Sequence, residues 1–206
     1  MKSYYLAIDI GASSGRHILG SLEQGKMELE EIYRFENGMQ ERNGHLCWDF
    51  ARLFEEIKNG MKKCKALGKI PESMGIDTWG VDFGLLDKNG VLLGNPVHYR
   101  DTRTEGIQDY VFGKFVTKSE LYGKTGIQSM NFNTIFQMAA DLRDRPWIVE
   151  NAESMLHMPD LLGYMLTGQK ASEYTIASTG ALLDARERDY ARDIIAKFGI
   201  PDRLFC

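Results

Sequence analysis

The stretch Tyr4–Leu22 limits what this chain can fold into more than any other. Tyr4-Tyr5-Leu6-Ala7-Ile8-Asp9-Ile10 is apolar almost throughout, the pattern of a central strand buried on both faces. His17-Ile18-Leu19-Gly20-Ser21-Leu22 is a second β-rich run, reached after only Gly11-Ala12-Ser13-Ser14-Gly15-Arg16. Two strands joined by so short a connection are antiparallel neighbours. The connection holds two glycines, which reach backbone conformations other residues avoid, and two hydroxyls, an arginine and successive backbone N–H groups. Such a turn forms an anion-binding concavity. Asp9 ends the strand just before it, and a carboxylate beside bound phosphate needs a cation between them. Strand, Asp9, Gly-rich turn and strand therefore read as a hairpin for a Mg²⁺-nucleotide phosphate. An ordinary hairpin with a Gly-rich turn fits the same residues.

Several function classes are excluded early. The 206 residues are 43% hydrophobic and 26% charged, which suits a soluble globular protein. A net charge of -4 argues against a nucleic-acid footprint, and no apolar run approaches the ~20 residues of a membrane span. A strand begins almost at the N-terminus, so no signal peptide is expected. Cys47, Cys64 and Cys206 form no CxxC pair, and the four histidines show no metal-ligand spacing. A reducing cytoplasm fits best. No GxxxxGK[ST] or GxSxG motif occurs. A two-metal nuclease using Asp9 and Asp77 is disfavoured by the acidic charge and by the hydroxyl-rich turn.

Along the chain, Met27–Asn37 reads as a third strand. Glu30-Glu31 makes it an edge or places a bulge in it. Asn43-Gly44 turns the chain before a short extended Leu46–Trp48. Asp49 caps a helix to about Leu67, with Phe50, Leu53, Phe54, Ile57, Met61 and Cys64 on one face and Gly68 beyond its end. Met74–Thr78 reads as a buried strand, Trp79-Gly80 as a pause, and the run into Asp87 as another strand. Strands, a helix and a further strand make an α/β unit. Helices are expected at Ser119–Tyr122, at Asn133–Arg145 ended by Pro146, from Met158-Pro159-Asp160 to Gly168, and at Tyr190–Phe198.

Two further polar clusters stand out. In Asp77-Thr78-Trp79-Gly80-Val81-Asp82, Gly80 admits a ligand to the backbone. Trp79 offers a flat face there, and Asp82 accepts hydrogen bonds from sugar hydroxyls. A hairpin with a core tryptophan explains the same residues. Tyr99-Arg100-Asp101-Thr102-Arg103 is the second cluster, for which a surface Arg–Asp network is the plainer account.

Asp9–Arg16 resembles the first phosphate hairpin of the FGGY carbohydrate kinases, members of the actin/hexokinase-like ATPase superfamily. Gly75–Phe83, Tyr99–Thr104, Thr125–Gln128, Phe132–Thr134, Met158–Asp160, Leu166–Gly168 and Glu173–Thr175 continue the likeness in order, from Tyr4 to about Thr179. The likeness is greatest to the family's rhamnulose-phosphorylating members. It implies an α/β domain of RNase H-like, actin-like ATPase type, with a mixed sheet, antiparallel N-terminal strands and flanking helices. It also implies ATP-dependent phosphorylation of L-rhamnulose, or of L-fuculose or another ketose in a related kinase. ATP phosphates would face Ala12, Ser13, Ser14, Gly15 and Arg16, and Asp9 would act near Mg²⁺. The sugar would meet Trp79, Gly80, Asp82, Tyr99, Arg100, Asp101 and Phe132. The family's catalytic base belongs to a later His-Asp motif that residues 1–206 do not contain. The chain then reads as one N-terminal kinase domain, a fragment inactive by itself and prone to self-association, whose partner is the missing C-terminal domain. A non-catalytic sugar-binding or regulatory module with the same fold is the alternative of another class.

Overall fold

The computed structural model describes residues 2–206. In chain order it begins with strands β1 (Ser3–Ile10), β2 (Ser14–Glu23), β3 (Lys26–Glu36), β4 (Met39–Arg42) and β5 (His45–Trp48). Helix α1 (Phe50–Ala66) follows, then β6 (Ser73–Thr78) and β7 (Phe83–Leu86). Helices α2 (Ile107–Lys114), α3 (Lys118–Thr125), α4 (Thr134–Asp144) and α5 (Pro146–Asn151) precede β8 (Ser154–His157). The chain finishes with α6 (Met158–Thr167), α7 (Tyr174–Ser178), the short strands β9 (Leu183–Asp184) and β10 (Asp189–Tyr190), and α8 (Arg192–Lys197). Two compact units result. One takes the chain up to Met39 and again Asp49–Trp79, and the other takes Gln40–Trp48 and Gly80–Cys206.

The first unit is a four-stranded sheet in the order β3-β2-β1-β6. β1 and β2 pair antiparallel, as their short connection requires, and β6 pairs parallel with β1 through the α1 crossover. The doubt over the third strand is resolved in both ways. β3 is an edge, and its pairing with β2 slips at His17/Ile18. The Asp49 carboxylate caps α1 by accepting from Arg52 N–H, and Gly68 takes a positive φ after its end. Phe50, Leu53, Ile57, Gly60 and Cys64 form the buried stripe of α1, whereas Met61 is exposed and Phe54 half-buried. Leu6, Ile8, Ile10, His17 and Leu19 are buried on the sheet. The intervening Tyr5, Ala7, Asp9 and Ile18 are more open. β6 is not the buried strand its sequence suggests. As an edge strand its residues alternate between exposed and half-buried.

The second unit holds the larger core. β7 and β8 pair antiparallel, with Phe83 opposite His157 and Leu86 opposite Ser154. Around them pack Ile107, Leu121, Phe136, Met138, Leu182 and Ile194, all buried. The run Val91–Leu93 makes only a bridge from Leu92 to Leu86 rather than a strand. Pro146 ends α4 as expected, but it also opens α5 at its first turn. Helix α6 runs from Met158 to a left-handed Gly168, as its Pro and Gly imply.

One glycine tests this packing. A Cβ at Gly60 would lie 2.2 Å from Cδ2 of the buried His17 ring. A mid-helix Gly→Ala change normally stabilises by about 1 kcal/mol. At Gly60 overpacking should reverse the sign, with a net loss of about 1–3 kcal/mol. Gly123 lies inside α3 with nothing within 4 Å of an added Cβ, so Gly123→Ala should show the ordinary gain. Urea unfolding of both variants checks the contrast, and equal shifts would remove the His17 contact as its cause.

Candidate functional site

In the first unit the turn is shorter than the sequence suggests. β2 already begins at Ser14, so only Gly11–Ser13 turn the chain, and all three are exposed. Gly11 N–H donates to Ser14 O at 2.8 Å. Asn37 braces the turn: its N–H donates to Ser13 O and its amide Nδ2 to Gly11 O, each at 2.9 Å. Neither Gly11 nor Gly15 has a positive φ, which corrects the expected reason for these glycines. Gly15 is buried, and a Cβ there would fall 2.1 Å from Cζ of Phe35, so packing against this ring already calls for a glycine. Arg16 points along the sheet. Its Nε and Nη2 lie 2.8 and 2.7 Å from Oδ2 of Asp9, its register partner, with both side chains partly exposed. Asp77 is the register partner of Asp9 on β6 and is exposed. Among the described residues no three His, Cys, Asp or Glu side chains group to hold a metal. Mg²⁺ keeps several waters and takes one or two carboxylates plus phosphate oxygens. Asp9, with Asp77 beside it, fits that donor chemistry. Trp79 is half-buried at the end of this unit, where its carbonyl accepts from the Thr78 hydroxyl at 2.9 Å.

In the second unit the polar groups converge on a strained turn. Asp82 N–H donates to Gly80 O at 2.9 Å, and Val81 between them has φ 68°. That is a γ-turn of the rare, positive-φ kind. A β-branched residue at positive φ is a genuine outlier and stores about 1–3 kcal/mol of strain. The surroundings hold it. Val81 N–H donates to Thr179 Oγ1 at 3.0 Å, while Val81 O accepts from Thr134 Oγ1 at 2.7 Å and from Gln137 Nε2 at 3.3 Å. Gly80 was expected to leave room for a ligand. A Cβ there would instead meet Thr179, with Oγ1 at 2.9 Å and Cγ2 at 3.0 Å, so close approach to this side chain already demands a glycine.

The expected ligand carboxylates face inward. Asp82 is fully buried: its Oδ2 accepts from Trp48 Nε1 at 2.6 Å and Tyr99 N–H at 3.1 Å, and its Oδ1 from Gln137 Nε2 at 3.0 Å. Asp101 is buried too, accepting from Leu46 N–H at 2.8 Å, Arg103 N–H at 3.0 Å and His45 Nδ1 at 3.1 Å. Both carboxylates organise the loops around them. Tyr99, Arg100 and Phe132 remain accessible. The Tyr99 ring stacks on His98 at 4.4 Å and meets Phe132 edge-on at 6.1 Å, and the Arg100 guanidinium lies over it at 5.4 Å. Phe132 O accepts from Gln137 Nε2 at 2.7 Å, so one carboxamide joins the Phe132 and Val81–Asp82 segments. Trp48, Thr134, Gln137 and Thr179 carry this arrangement and escape a reading by residue type. Only the burial of α4 on all sides marks Gln137 as a polar group in need of partners.

Comparison with known proteins gives a consistent result. The sequence profile of the FGGY family of carbohydrate kinases, N-terminal domain, matches residues 4–206. A rhamnulokinase of Halalkalibacterium halodurans is 48% identical over 203 residues, which is 98% of this chain and 43% of that protein. One of Bacteroides thetaiotaomicron is 45% identical over 205 residues, 100% of this chain and 42% of the relative. The chain thus spans less than half the length of the curated relatives it matches. Among solved structures, xylulose kinase from Lactobacillus acidophilus superposes with a TM-score of 0.84 at 15% identity, over 98% of this chain and 41% of the other. Plasmodium falciparum glycerol kinase with ADP superposes at 0.76 and 19%, over 96% and 41%. At such identities the likeness concerns the fold alone, and the expected α/β fold with a mixed sheet, antiparallel N-terminal strands and flanking helices is the one found.

Burial shifts several titrating groups in the second unit. His98 and His157 are both pushed down to about 4, each chiefly by burial, with Arg100 adding to the effect at His98. Burial pushes the Asp101 carboxyl up, but its backbone donors, His45 and Arg103 outweigh this and hold it below the ordinary value. Asp160 goes the other way, up to about 6, by burial. The unfolded chain takes up protons on His98 and His157 near their ordinary 6.5 and the folded chain only near 4. Stability therefore falls as pH drops from 6.5 towards 4. Asp160 contributes the opposite slope between its ordinary 3.8 and about 6. His157→Phe should flatten the pH dependence of urea-unfolding stability in this window, whatever it does to stability at pH 7. An unchanged slope would mean that His157 titrates alike in both states.

Proposed function

Because the chain belongs to the FGGY family of carbohydrate kinases, we propose that it is the N-terminal part of an ATP-dependent ketose kinase acting on L-rhamnulose. The observation that carries this reading is the 48% identity to a rhamnulokinase across 98% of the chain. The sugar side is assigned to the second unit. Tyr99 and Phe132 offer flat apolar faces to the C–H surfaces of the sugar, and Arg100 donates to its hydroxyls. Gly80 brings the backbone of the strained turn to the same ligand. Trp79, next to Gly80 in the chain, keeps its proposed sugar contact. Asp82 and Asp101 act by fixing these loops.

The phosphate side is assigned to Gly11–Ser13 with the Ser14 hydroxyl, and Arg16 is available to pair with a phosphate. Asp9 would hold Mg²⁺, with Asp77 as its neighbour. When bound, the ion would spread the charge of the phosphoryl oxygens. The reaction forms a bond from the terminal ketose oxygen to the γ-phosphorus and breaks the bond to the β-phosphate oxygen. The hydroxyl proton passes to a base, which we place in the length this chain does not span. Positioning and electrostatics then supply most of the catalysis. The three free thiols, Cys47, Cys64 and Cys206, support a reducing compartment, and we assign the cytoplasm. No helix among the described residues is long and apolar enough to cross a membrane.

Ligand-observed NMR on the 206-residue chain tests the sugar assignment, since it detects weak binding. L-rhamnulose should bind more tightly than L-fuculose or D-xylulose, and Tyr99→Ala should weaken it about tenfold, the loss of roughly 1.4 kcal/mol of contact. A preference for D-xylulose would overturn the choice of sugar. Asp9→Asn should leave ketose binding intact and abolish the Mg²⁺ dependence of ATP binding. A coupled ADP-release assay on the chain should show no ketose-dependent turnover; turnover above that of a host-kinase control would place the base inside residues 1–206.

A further inference from the structure

We propose that Gln137 is a positioning residue of the sugar site, which holds the Gly80-Val81-Asp82 turn in its strained form and ties it to the loop carrying Phe132. The proposal rests on the sugar-site reading above and assigns a role to a residue that neither the motifs nor the family likeness single out.

The geometry is unusually complete. Gln137 sits on the first turns of α4, with a side chain that is 1% exposed. Its Nε2 reaches Phe132 O at 2.7 Å, Asp82 Oδ1 at 3.0 Å and Val81 O at 3.3 Å. Its Oε1 accepts from Arg103 Nη2 at 2.7 Å. That bond orients the carboxamide, because guanidinium can only donate and must face the oxygen. Arg103 is itself ion-paired, without hydrogen bonds from its Nε or Nη1, with Asp141, 3.3 Å from Nε, and Asp101, 4.0 Å from Nη1. The amide nitrogen is therefore aimed at the turn by a charged network behind it.

Only a residue with a donor and an acceptor on one planar group can serve both sides. Glutamate would set a second carboxylate against Asp82, and leucine would take the Gln137 donor away from Asp82 Oδ1 and Phe132 O, while Val81 O would keep Thr134 Oγ1. Thr134 and Thr179 secure Val81 by its two backbone polar groups, yet neither reaches Phe132 or the Asp82 side chain. Gln137 alone among these three links all the segments that present Gly80, Tyr99 and Phe132, Tyr99 being joined through Asp82. Strain of this kind persists where the surroundings over-determine it, and it gathers where a ligand is clamped.

The test is a thermal double-mutant cycle with a binding readout. Val81→Gly removes the penalty for positive φ and also removes a buried side chain. Its Tm change mixes the two, but their sum is compared in two backgrounds. If Gln137 holds the strain, Val81→Gly should be more favourable in the wild type than in Gln137→Leu, by about 3 °C in Tm. Gln137→Leu should weaken L-rhamnulose binding about tenfold or more while Mg²⁺-ATP binding to the same chain stays within twofold. Gln137→Met, of similar length without the amide, should behave as Gln137→Leu does, which separates the amide from packing. A Tm effect of Val81→Gly that is equal in both backgrounds overturns the clamp. A parallel loss of sugar and nucleotide binding overturns the positioning role. A wild-type chain that binds no ketose overturns the sugar-site reading on which the proposal rests, and the cycle still decides whether Gln137 strains the turn.

Discussion

The second unit depends on one buried carboxylate. Asp82 is removed from water, where an ionised group costs several kcal/mol unless it is paired and hydrogen-bonded. Trp48 Nε1, Tyr99 N–H and Gln137 Nε2 supply donors from three separate stretches of chain. The positive field of Arg103 lies behind Gln137 and couples to Asp82. Removing any one donor would leave part of a buried charge uncompensated. The segments can therefore hardly drift apart singly, and the rims they carry keep a fixed relation.

The same dependence explains what could be read from the sequence. The β1–β2 hairpin, the Asp49 cap and the Gly168 stop follow from local chemistry, and local chemistry decided them. Helix α2 begins at a left-handed Gly106 with no side-chain cap, and its apolar residues make no clear stripe, so no signal announced it. Strand β8 is buried at all four positions and lacks the alternation that marks a strand. At the site, residue types were legible and directions were not. A positive φ at Val81 resets the phase of the chain, so Asp82 faces the core where a regular extension would leave its direction open. Gly15 and Gly80 look alike as ligand-admitting glycines, yet each accommodates a side chain from elsewhere, Phe35 and Thr179. Only tertiary packing separates that role from a nest for an anion.

The sheet of the first unit carries a different tension. Parallel pairs occur almost only where both faces are covered. Yet Met27, Leu29 and Ala7 are exposed, and β6 has a neighbour on one side only. An open apolar face of this kind is unusual on a stable monomer. The charged row of Arg16, Asp9 and Asp77 sits at one end of that face and helps keep it in water.

On the reading proposed above, the two units prepare for their ligands in opposite ways. The Asp9–Arg16 pair is partly exposed, so solvent and salt screen it and it contributes only about 0–1 kcal/mol. An anion arriving at the Gly11–Ser13 turn can draw Arg16 away at that small cost, and a cation can take its place on Asp9. Nothing buried need be undone. The Asp82–Gln137 network cannot rearrange so cheaply, because each broken bond would strand a buried polar group at about 1–3 kcal/mol. A sugar with several hydroxyls in fixed stereochemistry is distinguished by groups that do not move, whereas a phosphate of high charge and simple shape is captured by groups that can. Burial sets this difference, and burial follows from where the chain places α4: across the strained turn, with its carboxamide turned towards Asp82.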